Sequence, residues 1–215
     1  MGQVISIINQ KGGVAKSTTA VHLVYWLSVK QKKNILLIDA DSQQSSSVWL
    51  ENLEDTEIPY RVLQSPDDLL EQISELAPDY DYLVIDGPAG LSESTRAILF
   101  RSDLACIPVQ PTGVDLRSAS DALRVVKQAQ SVRGGLPEAV MFLSRAVKGT
   151  RLKEEAISLL EQNTAGTLLK SIVHQKQVIA DSSGQSDTVW GLSGRSANDA
   201  GREFEKLFKE MLELL

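Results

Sequence analysis

A chain of 215 residues with 42% apolar content has the side chains needed for the core of one α/β domain. It contains no run of ~18 apolar residues and goes into a strand without a basic leader, which predicts neither a membrane span nor a secretory signal and places the protein in the cytoplasm. A net charge of −6 argues against a uniformly basic nucleic-acid binder, and the single cysteine, Cys106, excludes an internal disulfide or a cysteine-ligated cluster and reads as a core residue.

The first predicted element is the apolar strand Val4-Ile5-Ser6-Ile7-Ile8. It runs into Gln10-Lys11-Gly12-Gly13-Val14-Ala15-Lys16-Ser17-Thr18 and then a helical pattern from Lys16 to Lys30. An ordinary phosphate-binding loop, G-x-x-x-x-G-K-[ST], has one lysine; here there are two, Lys11 and Lys16, while Gln10 and Ala15 stand at the outer glycine positions. Gly12 and Gly13 remove side-chain bulk and allow positive φ, so that backbone N–H groups can turn inward as an anion nest. Lys16, Ser17 and Thr18 open a helix whose first N–H groups favour phosphate. Lys16 can reach β- and γ-phosphates, and Ser17 is placed to ligate Mg²⁺.

The next strand, Asn34 to Ile38, runs out into Asp39 and Asp41, and a polar, switch-like stretch continues to Ser47. Ligands of a parallel sheet lie beyond the carboxyl ends of its strands, which brings both acids beside the loop. After a helix at Asp67 to Leu76, the strand Tyr82 to Ile85 ends in Asp86, the form expected of an acid that holds Mg²⁺ through water. Helices at Ser92 to Arg101, Val114 to Gln130 and Arg151 to Gln162 alternate with strands at Leu104 to Val109, Val140 to Leu143 and Leu168 to Val173. That alternation predicts an α/β fold, a doubly wound, mostly parallel sheet with helices on both faces, as one domain over residues 1–215. Gly134-Gly135 and Ser182 to Ser186 are short enough to be loops. The last helix, about Ser196 to Leu215, carries Phe204, Leu207, Phe208, Met211 and Leu215 as an apolar stripe, read as docking on the core. Its acidic face, with Glu203, Glu205, Glu210 and Glu213 against Lys206 and Lys209, suits no anionic membrane. His22 and His174 show no metal-ligand spacing and no acid partner, and His22, Trp49 and Trp190 read as packed side chains.

Lys11-Gly-Gly-Val-Ala-Lys16-Ser17, Asp39-Ala-Asp41-Ser-Gln43 and Ile85-Asp86-Gly-Pro-Ala-Gly-Leu-Ser92 together resemble the deviant Walker A ATPases of the ParA/MinD family, most nearly its small ParF-like partition proteins. The similarity extends through Ile107-Pro-Val-Gln-Pro111 to the segment Gln175 to Trp190. It implies ATP/ADP and Mg²⁺ as cofactors on residues 11 to 18, that is Lys11, Gly12, Gly13, Val14, Ala15, Lys16, Ser17 and Thr18. Lys11 matches the signature lysine that crosses an ATP-bound homodimer to the opposite subunit's phosphate. Lys16 and Ser17 match the lysine and metal ligand acting in their own subunit. Asp41 matches the acid that orients the attacking water, Asp39 the neighbouring acid near Mg²⁺, and Asp86 the Walker B acid. Ala15 and Ser42 depart from the usual glycine and proline. By the same analogy Arg145 and Gln175 to Val178 contact the base.

From Arg117 to Lys153 the chain has eight basic and two acidic residues, a local +6 that leaves −12 on the remainder. Such asymmetry is the form of a localised basic surface, and Arg145, Lys148, Arg151 and Lys153 are its candidate DNA contacts. The resemblance then implies a nucleoid-associated partition ATPase that binds DNA non-specifically and is released by a ParB-like or adaptor protein stimulating hydrolysis, without stable membrane association. One alternative keeps the ATPase and makes the cargo a protein assembly; another is a metabolic P-loop enzyme with a small-molecule acceptor.

Overall fold

Apolar residues follow one another along the predicted strands with no polar alternation, so both faces of each strand need cover, and a parallel sheet under two helical layers supplies it. The computed structural model describes residues 2–54, 56–162 and 165–215. In chain order the elements are β1 (Gln3–Asn9), α1 (Lys16–Tyr25, continued by a wider turn over Trp26–Lys30), β2 (Ile35–Asp39), α2 (Ser45–Glu51), β3 (Tyr60–Val62), α3 (Pro66–Leu76) and β4 (Tyr82–Ala89). They continue with α4 (Glu93–Arg101), β5 (Leu104–Val109), α5 (Gly113–Val132), β6 (Glu138–Ala146), α6 (Arg151–Glu161), β7 (Thr167–His174), α7 (Gln177–Gly184) and α8 (Arg195–Leu212).

The strands form one sheet in the order β3-β2-β4-β1-β5-β6-β7, and every neighbouring pair among the described residues is parallel. Alternate residues of each strand enter opposite cores. Leu36, Ile38, Leu83, Ile85, Met141 and Leu143 pack under α3, α4, α5 and α6. Ile35, Leu37, Val84, Cys106, Val140 and Phe142 pack under α1, α2 and α8. Cys106 is a buried core side chain. Three elements go beyond the sequence expectation. The polar stretch after Asp41 turns into α2, residues 182–184 close α7 where a loop was expected, and the short edge strand β3 has no periodic signal of its own.

The order places β1 at the centre and sends the chain from there first to one side and then to the other. The crevice between the loops after β1, β2 and β4 is therefore the topological switch point where such sheets bind ligands. In α8, Phe204, Leu207, Phe208 and Met211 are buried as the stripe requires, while Leu215 lies past the helix end and is exposed. Among the described residues no helix is long and apolar enough to cross a membrane.

Candidate functional site

The loop between β1 and α1 borders a cleft of about 890 Å³, which is also lined by Asp41, Pro88, Arg145, His174 and Phe204. Positive φ falls at Gly13 (76°) and at Ala15 (74°) and not at Gly12, so one of the two left-handed positions is filled by a residue with a Cβ. Ala15 is the N-cap of α1, whose first turn has no acidic residue and presents its N–H groups to the cleft. The loop carbonyls are tied back by distant parts of the chain. Gln110 Nε2 and Arg145 Nη1 both donate to the Gly13 carbonyl, at 2.9 and 2.8 Å, and the Ser144 hydroxyl donates to Val14 at 3.0 Å. These bonds fix the path of the loop at the border of the cleft.

The two lysines are held within the chain. Lys16 is nearly buried and its Nζ donates to the Lys11 carbonyl at 3.1 Å. Desolvation lowers its pKa, opposed by the Asp86 and Asp41 carboxylates. Lys11 Nζ lies 2.9 Å from Asp115 Oδ1, and that fully buried carboxylate is also bonded by the Thr112 hydroxyl at the start of α5.

Asp39, the last residue of β2, and Asp86 are register partners; β4 runs on past Asp86 to Ala89, so that acid lies within the strand and not at the end expected after Ile85, and although both acids are fully buried they differ in environment. Asp39 Oδ1 accepts the Asp41 N–H at 3.1 Å, and Oδ2 accepts the N–H and hydroxyl of Ser47 at 2.8 and 2.9 Å. These bonds anchor α2 on Asp39, whose carboxylate stands beside Asp86, close enough to raise its pKa. Among the described residues neither Asp86 oxygen has a hydrogen-bond partner. Burial raises its pKa to about 7; the Ser17 hydroxyl works against the rise, Asp39 adds to it, and Ser46 and Lys16 also oppose it. Ser17 and Ser46 thus lie near the carboxylate without closing a bond of ordinary geometry. A bare buried carboxylate beside a serine hydroxyl fits a hydrated Mg²⁺, a hard cation that takes oxygen donors. Asp41 accepts the Gln43 N–H at 2.9 Å and the Ala89 N–H at 3.0 Å, which spans the loops after β2 and β4 at the rim of the cleft.

Two expectations change on the far side. Arg145 points at the loop, away from Lys148, Arg151 and Lys153, which gather at the start of α6, so it leaves the candidate DNA set and joins the cleft. His174 does have an acid partner: Glu203 on α8 accepts its N–H and lies 2.9 Å from its Nδ1, and it also pairs with Lys176. Sequence reading missed Asp115, Ser144 and Phe204 as parts of the site, and it quoted Gln110 without a task; the Ile107 to Pro111 motif was the available signal for Gln110 alone.

Residues 5–189 match the family described as CobQ/CobB/MinD/ParA nucleotide binding domain. The chain is 35% identical over 116 residues to a maintenance of carboxysome distribution protein A of Gloeobacter kilaueensis, which spans 53% of this chain and about half, 52%, of that protein. It is 30% identical over 170 residues to the sporulation initiation inhibitor protein Soj of Bacillus subtilis, covering 60% of this chain and 67% of Soj. Among solved structures, an ATP complex of a Cyanothece McdA variant superposes with a TM-score of 0.80 at 17% identity, covering 99% and 96% of the two chains. MinD of Pyrococcus horikoshii, complexed with Mg-ADP, superposes at 0.75 with 21% identity, covering 98% and 96%.

Proposed function

We propose, from the premise that the chain belongs to the CobQ/CobB/MinD/ParA nucleotide-binding family, that it is a Mg-ATP-dependent ATPase whose ATP-bound homodimer binds DNA without sequence preference. The observation that carries the reading is a phosphate-loop type of turn whose Lys16 and Ser17 line one cleft with Asp41 and lie beside the buried Asp86 carboxylate. The N–H groups of residues 12 to 18 would cradle the phosphates, and Lys16 would leave the Lys11 carbonyl for phosphoryl oxygens. Lys11, its side chain 42% exposed, would leave Asp115 for the nucleotide of a second copy. Asp41 has lone pairs to spare beside its two N–H donors and would orient the attacking water. Mg²⁺, held by Ser17 and by Asp86 through water, would neutralise charge on the β- and γ-phosphates when bound.

On α5, Arg117, Arg124 and Lys127 are exposed on one stripe, and Lys148, Arg151 and Lys153 extend it at α6. A phosphate-contacting surface of this kind supports non-specific DNA binding and, with it, a nucleoid location in the ATP state. On this reading the family's usual task, segregation of plasmid or chromosome DNA, ends with hydrolysis stimulated by a ParB-like or adaptor partner. The similarity to carboxysome distribution proteins favours a second reading, in which the same cycle positions a protein assembly.

The test is a gel-shift titration on random duplex DNA at one salt concentration with Mg-ATP and with Mg-ADP. Binding with ATP alone is expected; no binding in either state would remove the DNA-based cycle in both readings. Asp41→Ala is expected to retain ATP binding and dimerisation while hydrolysis falls by at least about tenfold, and normal turnover in that variant would release Asp41 from its role.

A further inference from the structure

Three consecutive serines open α2, and each has a different environment. Ser45 is exposed. Ser47 is buried and gives both its N–H and its hydroxyl to Asp39. Ser46 is fully buried and its Oγ has no hydrogen-bond partner among the described residues. A buried hydroxyl without a partner is costly, so alanine would be the more stable choice if filling space were the only duty of the position. The Ser46 hydroxyl faces Asp86, whose two oxygens are equally bare. Unpartnered polar atoms from α2 and β4 therefore meet in one buried place next to Ser17, at the head of α1.

We propose that Ser46 is a positioning residue for the hydrated divalent cation at Asp86 and Ser17. Its hydroxyl donates to one Asp86 oxygen, which leaves the other oxygen to the water shell of the cation. The inference rests on reading the cleft as a Mg-nucleotide site. It adds a consequence for α2: Asp39 seats the helix permanently through Ser47, and the cation completes that seating through Ser46. The polar stretch from Asp41 to Gln44 that leads into α2 is thereby tied to metal occupancy at the cleft.

The experiment titrates Mg²⁺ into the full chain with a fluorescent ADP analogue, for the parent, Ser46→Ala and Ser47→Ala, with an EDTA baseline and melting curves without nucleotide or metal. For Ser46→Ala the expected result is about tenfold more Mg²⁺ at half-saturation, the loss usual for a residue that orients a metal ligand, with metal-free ADP affinity unchanged. Its metal-free melting temperature stays level or rises, while that of Ser47→Ala falls. An unchanged Mg²⁺ requirement in Ser46→Ala overturns the proposal, and so does a metal-free melting temperature that falls as far as that of Ser47→Ala. A parent chain without any Mg²⁺-dependent nucleotide binding overturns the Mg-nucleotide reading itself, a result distinct from either of these.

Discussion

Ala15 sits in the left-handed region at φ 74°, where a side chain with a Cβ is strained by about 1–2 kcal/mol. It is also the N-cap of α1 with no side-chain hydrogen bond to offer, a position where glycine is preferred over alanine. Replacing it by glycine removes the clash but adds about 0.4–1 kcal/mol of unfolded-chain freedom. The strain term is the larger, so Ala15→Gly is expected to raise stability by up to about 1 kcal/mol, read as a higher denaturant midpoint with unchanged slope. A lower midpoint would mean that the alanine methyl is packed favourably in the folded loop. At this scale the loop was legible from residue types, because glycine, lysine and serine each have few other uses in that spacing. The different duties of Asp39 and Asp86 were not, since both follow an apolar run and they differ in whether Ser47 and the Asp41 N–H reach them.

Among the elements, α8 does more than bury its stripe. Strand β7 is an edge, and α8 covers its exposed N–H groups: Glu210 accepts from Lys170 and Ser171 at 2.7 and 2.9 Å, and Glu203 accepts from His174 at 2.9 Å. Burial opposes the charge on both glutamates, but the Lys176 ammonium and His174 at Glu203, and the Ser171 and Lys170 donors at Glu210, hold them below the usual carboxylate range. On its inner side α8 stacks Phe204 on His22 at 4.4 Å. Burial lowers the pKa of His22 to about 4 against the Thr18 carbonyl, so the ring is neutral in the fold. Its Nδ1–H donates to that carbonyl at 2.7 Å, which leaves Nε2 to accept the Val189 N–H at 3.2 Å.

Both sets of groups give the same sign. A depressed histidine contributes stability that is whole above its unfolded value of 6.5 and is lost as pH falls through 4. Depressed glutamates contribute stability that is whole above 4.5 and is lost on further acidification. Hydrogen exchange in α8 is therefore expected to quicken as pH falls from 6.5 towards 4, after correction for the intrinsic rate, ahead of exchange in β1 and β4. Uniform loss of protection across the sheet and α8 would show that the helix is no separate unit. The apolar stripe made α8 visible in the sequence at a period of 3.6; the pairing of its glutamates with β7 was invisible, because strand order decides which strand is the edge.

For the whole molecule, the order of strands sorts function by side. Loops after β1, β2, β4 and β5 meet at the carboxyl end of the sheet, while α5 and α6 present their basic residues on an outer face. Arg151 is paired with Glu155 and Arg124 with Asp121, both as exposed pairs of little stabilising value. Lys148→Glu, Arg151→Glu and Lys153→Glu together are therefore expected to leave the melting temperature and ATP affinity unchanged. Affinity for random DNA is expected to fall more than tenfold, with a shallower salt dependence, measured by gel shift at several ionic strengths. Unchanged DNA affinity would exclude this face.

The sequence by itself determined the alternation of strands and helices, the phosphate loop and the three acids that follow two of the apolar runs, since these depend on periodicity and on residue chemistry within about ten neighbours. It also carried the family resemblance. Only the tertiary structure decided that Asp115 holds Lys11, that Gln110 and Arg145 hold the Gly13 carbonyl, that α8 closes the edge at β7, and that Asp86 lies buried beside Ser46. Those partners lie tens to more than a hundred residues apart, and their meeting depends on which strands become neighbours, which no local pattern encodes.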